Sequence, residues 1–361
     1  MQYPTLRLLP NRAALEVLDQ RRLPFAVEYL ELRTMHDAVA AIRDMAVRGA
    51  PLIGLVGAAG VWLTVEGCVH GNRGIEELRE AAAGICAARP TAVNLAWAVE
   101  RMMRVVEEQG LDEGGARRAR EEVERMIRED AATCAAIGLH GLPLVEAVAA
   151  RKGRVNVLTH CNAGRLACAA WGTATSPIYH AHRAGIPLHV WVDETRPRNQ
   201  GARLTAWELA EAGVPCTLIA DNAGGYLMQR GAVDLVLVGC DRLTRRGDAA
   251  NKIGTYLKAL AARDTGVPFY VALPSSTIDW RLDDGGAIPI EERDPDEVLR
   301  IEGVGRDGAL HDVLLAPPGI SACNPGFDVT PARLIDGIIT ERGISPATAE
   351  GLRWMFPDLA A

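Results

Sequence analysis

The chain has 361 residues, a length that suits two domains better than one compact core. Hydrophobic residues make up 48% and charged residues 24%, as in an ordinary soluble globular protein, and the formal net charge is −7. An acidic protein has no general attraction to nucleic acid or to membrane surfaces, so we expect neither as a partner, and any positive charge that binds phosphate must be local.

The cysteines and the first residues bear on where the chain functions. The eight cysteines include no C-x-x-C pair, which argues against a zinc ribbon or a thioredoxin-like motif. The start, MQYPTLRLLPNR, lacks the apolar core of a signal peptide, and no apolar run reaches the roughly 18 residues of a membrane span. We therefore expect a cytoplasmic protein with reduced thiols.

The first part of the chain is predicted to be mainly helical. Residues 36–47 carry apolar side chains at helical spacing and lead to Pro51, which is expected to end that helix. The small-residue segment LIGLVGAAGVWL predicts a tightly packed helix, and charged amphipathic stretches follow at about 74–88 and 95–136. Glycines at 110, 114 and 115 are expected to break the last stretch.

The pattern changes near residue 150. Five short apolar runs recur from there, each followed by small or polar residues: 155–160, 188–193, 216–221, 233–239 and 268–274. Helix-like stretches separate most of them, and strands that alternate with helices indicate βαβ units with a parallel sheet. We therefore predict a smaller, mainly helical N-terminal domain over residues 1–144 and a doubly wound α/β domain over residues 145–361.

Cys161 is a candidate catalytic group because ligands of open α/β sheets bind at the carboxyl ends of the strands. It follows the first predicted strand, and the nearby residues RLACAAWGTA resemble a helix start. A thiol near a helix N-terminus has a lowered pKa and is reactive, whereas the common alternative is a small buried apolar side chain. The sequence leaves these two interpretations of Cys161 balanced and assigns the other seven cysteines to the second.

Asp241 is the second candidate, since it follows the most apolar of the predicted strands. Partial desolvation there should raise its pKa toward the range that is useful for proton transfer. The alternative is a carboxylate that caps a helix or pairs with Arg242, and the residues alone weigh the two about equally.

Several cationic and amide side chains could bind an anion. Gln200-Gly201 and Asn251-Lys252 are each predicted to open a helix, where backbone N–H groups attract anions. Arg48-Gly49-Ala50 and Arg89 stand at breaks between predicted helices, and either arginine could make a bidentate contact with phosphate. A surface arginine at a helix end is the commoner case, so neither arginine is decisive by itself.

Residues 303–308, Gly-Val-Gly-Arg-Asp-Gly, match the G-x-G-x-x-G pattern of dinucleotide sites. The match follows a charged loop, no helix clearly starts after it, and no strand-ending acid lies at the required distance. We therefore reject a dinucleotide site.

Seven segments, in this order, closely resemble the methylthioribose-1-phosphate isomerase family. They are RGAPLIG (48–54), ARPTAVNLAWA (88–98), THCNAG (159–164), DETRP (193–197) with QGARLTAWEL (200–209), GCDR (239–242), GDAANKIGTY (247–256) and NPGFDVTP (324–331). RPTAVNL points to the isomerase branch of a superfamily that also holds ribose-1,5-bisphosphate isomerases and regulatory subunits of a translation-initiation exchange factor.

The resemblance implies a Rossmann-like C-terminal domain behind the helical one and a homodimer. It also implies an aldose–ketose isomerase that acts on 5-methylthio-D-ribose 1-phosphate in methionine salvage. It places the family's catalytic cysteine and catalytic acid at Cys161 and Asp241. The family's substrate-binding positions fall on Arg48, Gly49, Ala50, Arg89, Gln200, Asn251 and Lys252.

Such a reaction has to open a sugar ring whose anomeric carbon carries phosphate. We expect protonated Asp241 to donate to the ring oxygen while hydrogen moves from C2 to C1. Cys161 could be the base of a proton transfer through an enediol-like intermediate, or it could stabilise a direct hydride shift. Neither route needs a metal or an organic cofactor, and the chain shows no convincing site for either. Arg48, Arg89 and Lys252 would hold the phosphate.

Four departures from the usual family pattern leave the 5-substituent of the substrate open. They are Arg198-Asn199, Ala223-Gly224, Cys240 and Arg245-Arg246. A 5-deoxyribose 1-phosphate could be an additional substrate, and the added arginines keep ribose 1,5-bisphosphate as an alternative. A non-catalytic regulatory scaffold is a third interpretation, against which a thiol and a carboxylate at central strand ends both argue.

Overall fold

The computed structural model describes residues 3–71, 74–89 and 92–360. A small antiparallel sheet packs on the helices of the N-terminal part, with strands β1 (Leu6–Leu8), β2 (Leu15–Leu18) and β3 (Tyr29–Leu32). Five helices follow: α1 (Met35–Arg43), α2 (Ala50–Gly71), α3 (Ile75–Ala87), α4 (Val93–Gln109) and α5 (Glu113–Lys152). The mainly helical prediction is confirmed, whereas the three short strands were not predicted.

Helix α2 forms the centre of the N-terminal core. Its small and apolar residues are buried on every side, which is typical of a helix inside a core. By length and composition alone α2 could span a membrane, contrary to the sequence prediction, but 78% of its most apolar 18-residue window is buried inside the fold. Helix α5 is also long and apolar enough to span a membrane, and 33% of its most apolar 18-residue window is buried. The burial of α2 identifies it as a core helix.

Glycine, proline and one aspartate set several helix boundaries. Pro51 lies in the first turn of α2, where its missing N–H is harmless, so it begins a helix and does not end one as predicted. Gly110, with φ of +89°, separates α4 from α5 as predicted, but Gly114 and Gly115 lie inside the first turn of α5. Asp112 caps α5, because its carboxylate accepts the N–H of Gly115 at 2.9 Å.

The C-terminal part is an α/β structure built on a seven-stranded sheet. Its elements in chain order are β4 (Val155–Thr159), α6 (Ser176–Arg183), β5 (Leu188–Asp193), α7 (Ala206–Glu211), β6 (Cys216–Ile219), α8 (Ala223–Gln229), β7 (Leu235–Val238), β8 (Arg242–Thr244), β9 (Ala249–Lys252), α9 (Thr255–Thr265), β10 (Phe269–Ala272), β11 (Ile278–Asp279), α10 (Asp296–Leu299), β12 (Arg300–Val304), β13 (Leu310–Leu314), β14 (Phe327–Thr330), β15 (Gly337–Thr340), β16 (Gly343–Ser345) and α11 (Ala349–Met355). The main sheet has the order β16-β15-β10-β7-β4-β5-β6, and every pairing in it is parallel except that of β16. The five predicted strands are confirmed, while β15 and β16 were not predicted.

Helix α5 runs across residue 144, where the sequence was divided into two domains. The N-terminal core draws on residues 6–126, whereas the two large cores around the main sheet draw on residues 137–356. The domain limits stay a prediction, with α5 as a continuous link between the two parts.

The helix predicted soon after Cys161 is wrong. A single 3₁₀ turn forms at Arg165–Ala167, and α6 begins only at Ser176. The backbone between them folds back, since the N–H of Thr173 donates to the carbonyl of Ala163 at 2.9 Å. Cys161 therefore lies in a loop and not at a helix N-terminus.

A second sheet, with the order β11-β8-β9-β14, continues from the carboxyl end of β7. Asn251 and Lys252 lie on β9, opposite Asp328 and Phe327 of β14, so they do not open a helix as predicted. This pairing joins segments that are far apart in the chain, which is why the local pattern does not reveal it. The G-x-G-x-x-G match at 303–308 lies at the turn of the β12–β13 hairpin, where a strand follows it and not a helix.

Trp62 tests the N-terminal core. Its side chain is fully buried in α2, its Nε1 donates to Oε1 of Glu66 at 3.0 Å, and Arg120 packs over its ring. Trp62→Ala should lower the free energy of unfolding by about 3–5 kcal/mol, because it removes apolar contacts and leaves a cavity. Urea denaturation checks this, with Trp354→Ala as the control, since Trp354 is 82% exposed. Equal losses in the two variants would contradict the packing.

Candidate active site

Cys161 and Arg48 meet at the carboxyl end of β4, between the two parts of the chain. Arg48 precedes α2, and its Nη1 donates to Oδ1 of Asn162 at 2.5 Å, while Nη2 lies 3.8 Å from the sulfur of Cys161. All three side chains are buried. The structure therefore brings the candidate catalytic thiol and a candidate phosphate-binding arginine into direct contact.

The backbone at Cys161 has an unusual conformation. Cys161 and Thr195, at the ends of the neighbouring strands β4 and β5, have φ of +65° and +64°. The N–H of Cys161 donates to Oγ1 of Thr195 at 2.8 Å, and its carbonyl accepts a hydrogen bond from Oγ1 of Thr205 at 2.7 Å. Left-handed φ at such residues costs about 1–3 kcal/mol and persists where the surroundings enforce it, often at functional sites.

Burial raises the pKa of the Cys161 thiol, although Arg48 and Lys252 act in the opposite direction. The sequence predicted a lowered pKa from a helix start after the loop, and that prediction is wrong. The chain after Cys161 forms only a 3₁₀ turn before α6 begins at Ser176, and the fold withdraws the sulfur from water. The thiol form therefore predominates at neutral pH.

Asp241 lies at the end of β7, the strand next to β4. Burial raises the pKa of its carboxyl, as predicted, and nearby cations, Lys252 first among them, oppose that rise. Arg242, which was considered as its ion-pair partner, pairs with Asp279, with 3.4 Å between Nη1 and Oδ2. The carboxyl of Asp241 is therefore suited to hold a proton at a higher pH than an exposed aspartate.

Lys252 and Asn251 reach the site from β9. Nζ of Lys252 is buried, donates to the carbonyl of Gly326 at 2.8 Å and lies 4.2 Å from the centre of the Phe327 ring. Burial lowers the pKa of Lys252, whereas the thiol and the carboxylate of the site raise it. Nδ2 of Asn251 donates to Oγ1 of Thr255 at 3.0 Å. Both side chains are held in place by the fold itself.

Arg89 joins the site from the segment before α4. Its Nε donates to Oε1 of Glu291 at 2.9 Å, and its Nη1 lies 3.4 Å from the sulfur of Met45. It is one of the cations that oppose the rise in the pKa of Asp241 by burial. Pro90 and Thr91 of the same sequence motif lie outside the described residues.

Gln200 is buried, and within residues 3–71, 74–89 and 92–360 neither polar atom of its amide has a hydrogen-bond partner. Unsatisfied buried amides are rare in native proteins, so this one is expected to meet a ligand. Gln200 and Arg48 line a common cavity of about 30 Å³ together with Met45 and Leu204. This volume is far smaller than a sugar phosphate needs, so the side chains around it must move to admit one.

A buried network under the strand ends was not predicted. Nδ1 of His160 lies 2.8 Å from Oδ2 of Asp193, Nε2 lies 2.8 Å from the carbonyl oxygen of Ile253, and Nζ of Lys258 lies 3.2 Å from the same Asp193 oxygen. His160, Asp193 and Asp221 could together hold a metal ion, but the Lys258 ammonium already supplies a cation there. The two acids are the last residues of the apolar runs at 188–193 and 216–221, while the lysine on α9 gave no local signal.

A second group with metal-binding chemistry consists of Asp130, Cys134 and Cys168, whose ligand atoms lie within 4.8 Å of one another. Burial raises the pKa of Asp130 to about 7, and the neighbouring thiol raises the pKa of Cys134. Metal ligands must be deprotonated, so the raised pKa values of these groups oppose metal binding at neutral pH. The absence of a metal stays a prediction.

The comparison with known sequences gives two findings. The profile of the initiation factor 2 subunit family matches residues 46–347. The chain is 55% identical over 346 residues to methylthioribose-1-phosphate isomerase of Desulfatibacillum aliphaticivorans, covering 95% of this chain and 94% of that protein.

Two solved structures are similar over nearly their full length. One is 5-methylthioribose 1-phosphate isomerase from Pyrococcus horikoshii OT3, with a TM-score of 0.82 and 37% identity over 98% of this chain and 96% of that one. The other is translation initiation factor eIF-2B, subunit delta, from A. fulgidus, with a TM-score of 0.78 and 34% identity over 99% of this chain and 100% of that one.

Gly49 tests the close approach of the two parts. It has φ of +94°, and a Cβ on it would lie 2.4 Å from Cβ of Ala167. Gly49→Ala should lower the free energy of unfolding by about 1–3 kcal/mol more than the control Gly185→Ala, because overpacking adds to the strain that both share. Gly185 has φ of +75° and open space around it. Equal losses in urea denaturation would contradict the contact at Ala167.

The titration of Cys161 tests the electrostatics. The difference in ultraviolet thiolate absorbance between the wild type and Cys161→Ser should show deprotonation above the ordinary pKa of 9.0, because burial raises the value. Arg48→Met should move this titration further up, since Arg48 lowers the pKa. Deprotonation below pH 9.0 would mean that Arg48 and Lys252 outweigh burial and would contradict the raised pKa.

Proposed function

We infer that this chain, which belongs to the initiation factor 2 subunit family and there to the methylthioribose-1-phosphate isomerases, converts 5-methylthio-D-ribose 1-phosphate to 5-methylthio-D-ribulose 1-phosphate. The reaction is an aldose–ketose isomerisation of methionine salvage. One observation carries the inference: a buried thiol, Cys161, and a carboxyl of raised pKa, Asp241, lie among three cations.

Arg48, Arg89 and Lys252 are suited to hold the phosphate. They come from three different segments, yet all three are close enough to Asp241 to oppose the rise in its pKa. Two of them have protein partners that a phosphate dianion could replace, since Arg48 bonds Asn162 and Arg89 bonds Glu291. Charge-assisted contacts of this kind would fix the sugar in one orientation.

Asp241 is proposed as the acid that opens the ring, and its raised pKa keeps the required proton in place. Hydrogen then moves from C2 to C1, either as a proton taken and returned by the Cys161 thiolate or as a hydride. The Asp241 carboxylate takes the proton of the C2 hydroxyl as the C2 ketone forms, which restores the acid. The raised pKa of Cys161 favours the hydride shift, because that route leaves the proton on sulfur. Either route only moves hydrogen within the substrate, so we propose that it needs no cofactor.

Arg198, Arg245 and Arg246, which could have bound the second phosphate of ribose 1,5-bisphosphate, each pair with an acidic side chain. Nη1 of Arg198 lies 2.7 Å from Oε1 of Glu297. Arg245 and Arg246 both pair with Asp283 on the surface, with 2.5 Å and 3.0 Å between the charged atoms. A second phosphate would have to compete with these carboxylates, which favours the methylthio substrate. A 5-deoxyribose 1-phosphate stays an additional candidate.

The type of sheet, the oligomeric state and the cellular location are each proposed from a different observation. The strand order β6-β5-β4-β7-β10-β15 supports a Rossmann-like sheet. Exposed apolar side chains on β6, α8 and α9, namely Leu218, Tyr226 and Leu257, support a homodimer. The net charge of −7 supports a cytoplasmic enzyme without a nucleic-acid or membrane partner.

Proton NMR in deuterated buffer tests the substrate. The protein should convert 5-methylthioribose 1-phosphate, in preference to 5-deoxyribose 1-phosphate and ribose 1,5-bisphosphate. Conversion of ribose 1,5-bisphosphate alone would move the function to that activity, and no conversion of any of the three would favour the scaffold. Deuterium at C1 of the product would show proton transfer and contradict the hydride shift.

Two substitutions test the catalytic pair. Cys161→Ser and Asp241→Asn should each lower kcat by about 100-fold to 10,000-fold, the range expected when a proton-transfer group is lost. Substrate affinity should change little, since the phosphate contacts remain. Cys323→Ser and Asp264→Asn, at exposed positions, are the matched controls. Wild-type turnover in either test variant would remove that residue from the mechanism.

A further inference from the structure

Glu208 lies directly beneath the loop that carries Cys161, and the mechanism above does not use it. We propose that the Glu208 carboxylate is a positioning residue, which holds the Cys161–Leu166 loop and through it the thiol and Arg48 in the reactive arrangement. This proposal rests on the isomerase function inferred above. Glu208 belongs to the segment QGARLTAWEL, where only Gln200 had been given a role.

The carboxylate contacts the end of the loop that contains Gly164 and Leu166. Oε2 of Glu208 accepts the N–H of Leu166 at 3.2 Å. A Cβ on Gly164 would lie 1.3 Å from Oε1 of Glu208, so the carboxylate presses on the loop backbone at a position where only glycine fits. The side chain is fully buried. Glu208 therefore sets the distance between the loop backbone and helix α7.

The turn before α7 holds the other end of the same loop. Oγ1 of Thr205 donates to the carbonyl of Cys161 at 2.7 Å and accepts from Nδ2 of Asn162 at 3.1 Å. Oδ1 of Asn162 in turn accepts from Arg48 at 2.5 Å, and Arg48 reaches the sulfur of Cys161. Thr205 and Glu208 thus hold the two ends of the loop from one short helical segment, and the thiol and the arginine depend on both.

Glu208 changes its charge in the neutral range. Burial raises the pKa of its carboxyl to about 7, and Arg165, the N–H of Leu166 and Arg48 oppose that rise. The other titratable or charged groups around it are Tyr179 on α6, Cys168 beyond the 3₁₀ turn, and His182, Arg183 and Glu211, which line a cavity together with Glu208. Only the charged carboxylate attracts Arg48 and accepts strongly from Leu166. The loop is therefore held most firmly above pH 7.

Stability and positioning have opposite pH dependence here. The pKa of about 7 in the fold lies above the ordinary 4.5, so the protonated carboxyl stabilises the fold and this contribution is lost as the pH rises between these values. Glu208→Gln cannot ionise and should therefore be at least as stable as the wild type at pH 8. If the Glu208 carboxylate only stabilised the fold, Glu208→Gln would be less stable than the wild type at pH 8.

The experiment compares kcat of Glu208→Gln and wild type with 5-methylthioribose 1-phosphate from pH 6 to pH 8.5. The ratio should be near one at pH 6, where the wild-type carboxyl is protonated, and should fall about tenfold or more at pH 8.5, as expected for a misplaced group. KM should rise by less than kcat falls, because Arg89 and Lys252 still hold the phosphate when Arg48 is displaced. Glu208→Asp, which keeps the charge but cannot reach Leu166, should be impaired at both pH values. Glu211→Gln, exposed on the same helix, is the control.

A second readout does not depend on turnover. The rate at which iodoacetamide alkylates Cys161, followed by mass spectrometry, should show the same pH-dependent ratio between Glu208→Gln and wild type. If the substrate is not turned over but this ratio changes with pH, the proposed function fails and the positioning role stands. A ratio that is constant with pH in both assays, or a loss of activity that tracks a loss of thermal stability, overturns the positioning role.

Discussion

The guanidinium of Arg48 joins the two parts of the molecule. It comes from the segment before the buried helix α2, bonds Asn162 at the end of β4 and lies against the sulfur of Cys161. The core around α2 fixes one side of this contact and the parallel sheet fixes the other. Because these side chains are buried, a small shift between the two parts would leave a charge without a partner in a medium of low polarity.

The site has more positive charge than its own acidic groups balance. Burial works against the ionised form of three groups in it: it raises the pKa of Cys161 and of Asp241 and lowers that of Lys252. Within the described residues, three cations, of which only Arg89 has a carboxylate partner in Glu291, surround an Asp241 carboxyl that prefers its proton, and the amide of Gln200 is unsatisfied. A phosphate dianion would supply the missing negative charge, and it would do so where the field of the cations is least screened.

The order of polar residues along the chain was enough to predict one edge of the site. Cys161, Asp193, Asp221 and Asp241 each follow an apolar run, and buried parallel strands tolerate polar side chains mainly where they end. Since the carboxyl ends of parallel strands share one edge, these residues had to converge. The helical character of the first part followed in the same way from the spacing of its apolar residues.

Only the tertiary structure determined which side chains surround each site residue and how they change its pKa. Lys252 reaches the site because β9 pairs with β14, and Glu208 acts on Cys161 only because α7 packs beneath its loop. One of the two interpretations of Cys161 gave its pKa the wrong sign, since the local pattern indicated a helix where the chain forms a single turn. Local sequence therefore determined which groups stand at the strand ends. Long-range packing determined their partners, their burial and hence their protonation, because desolvation depends on residues that are distant along the chain.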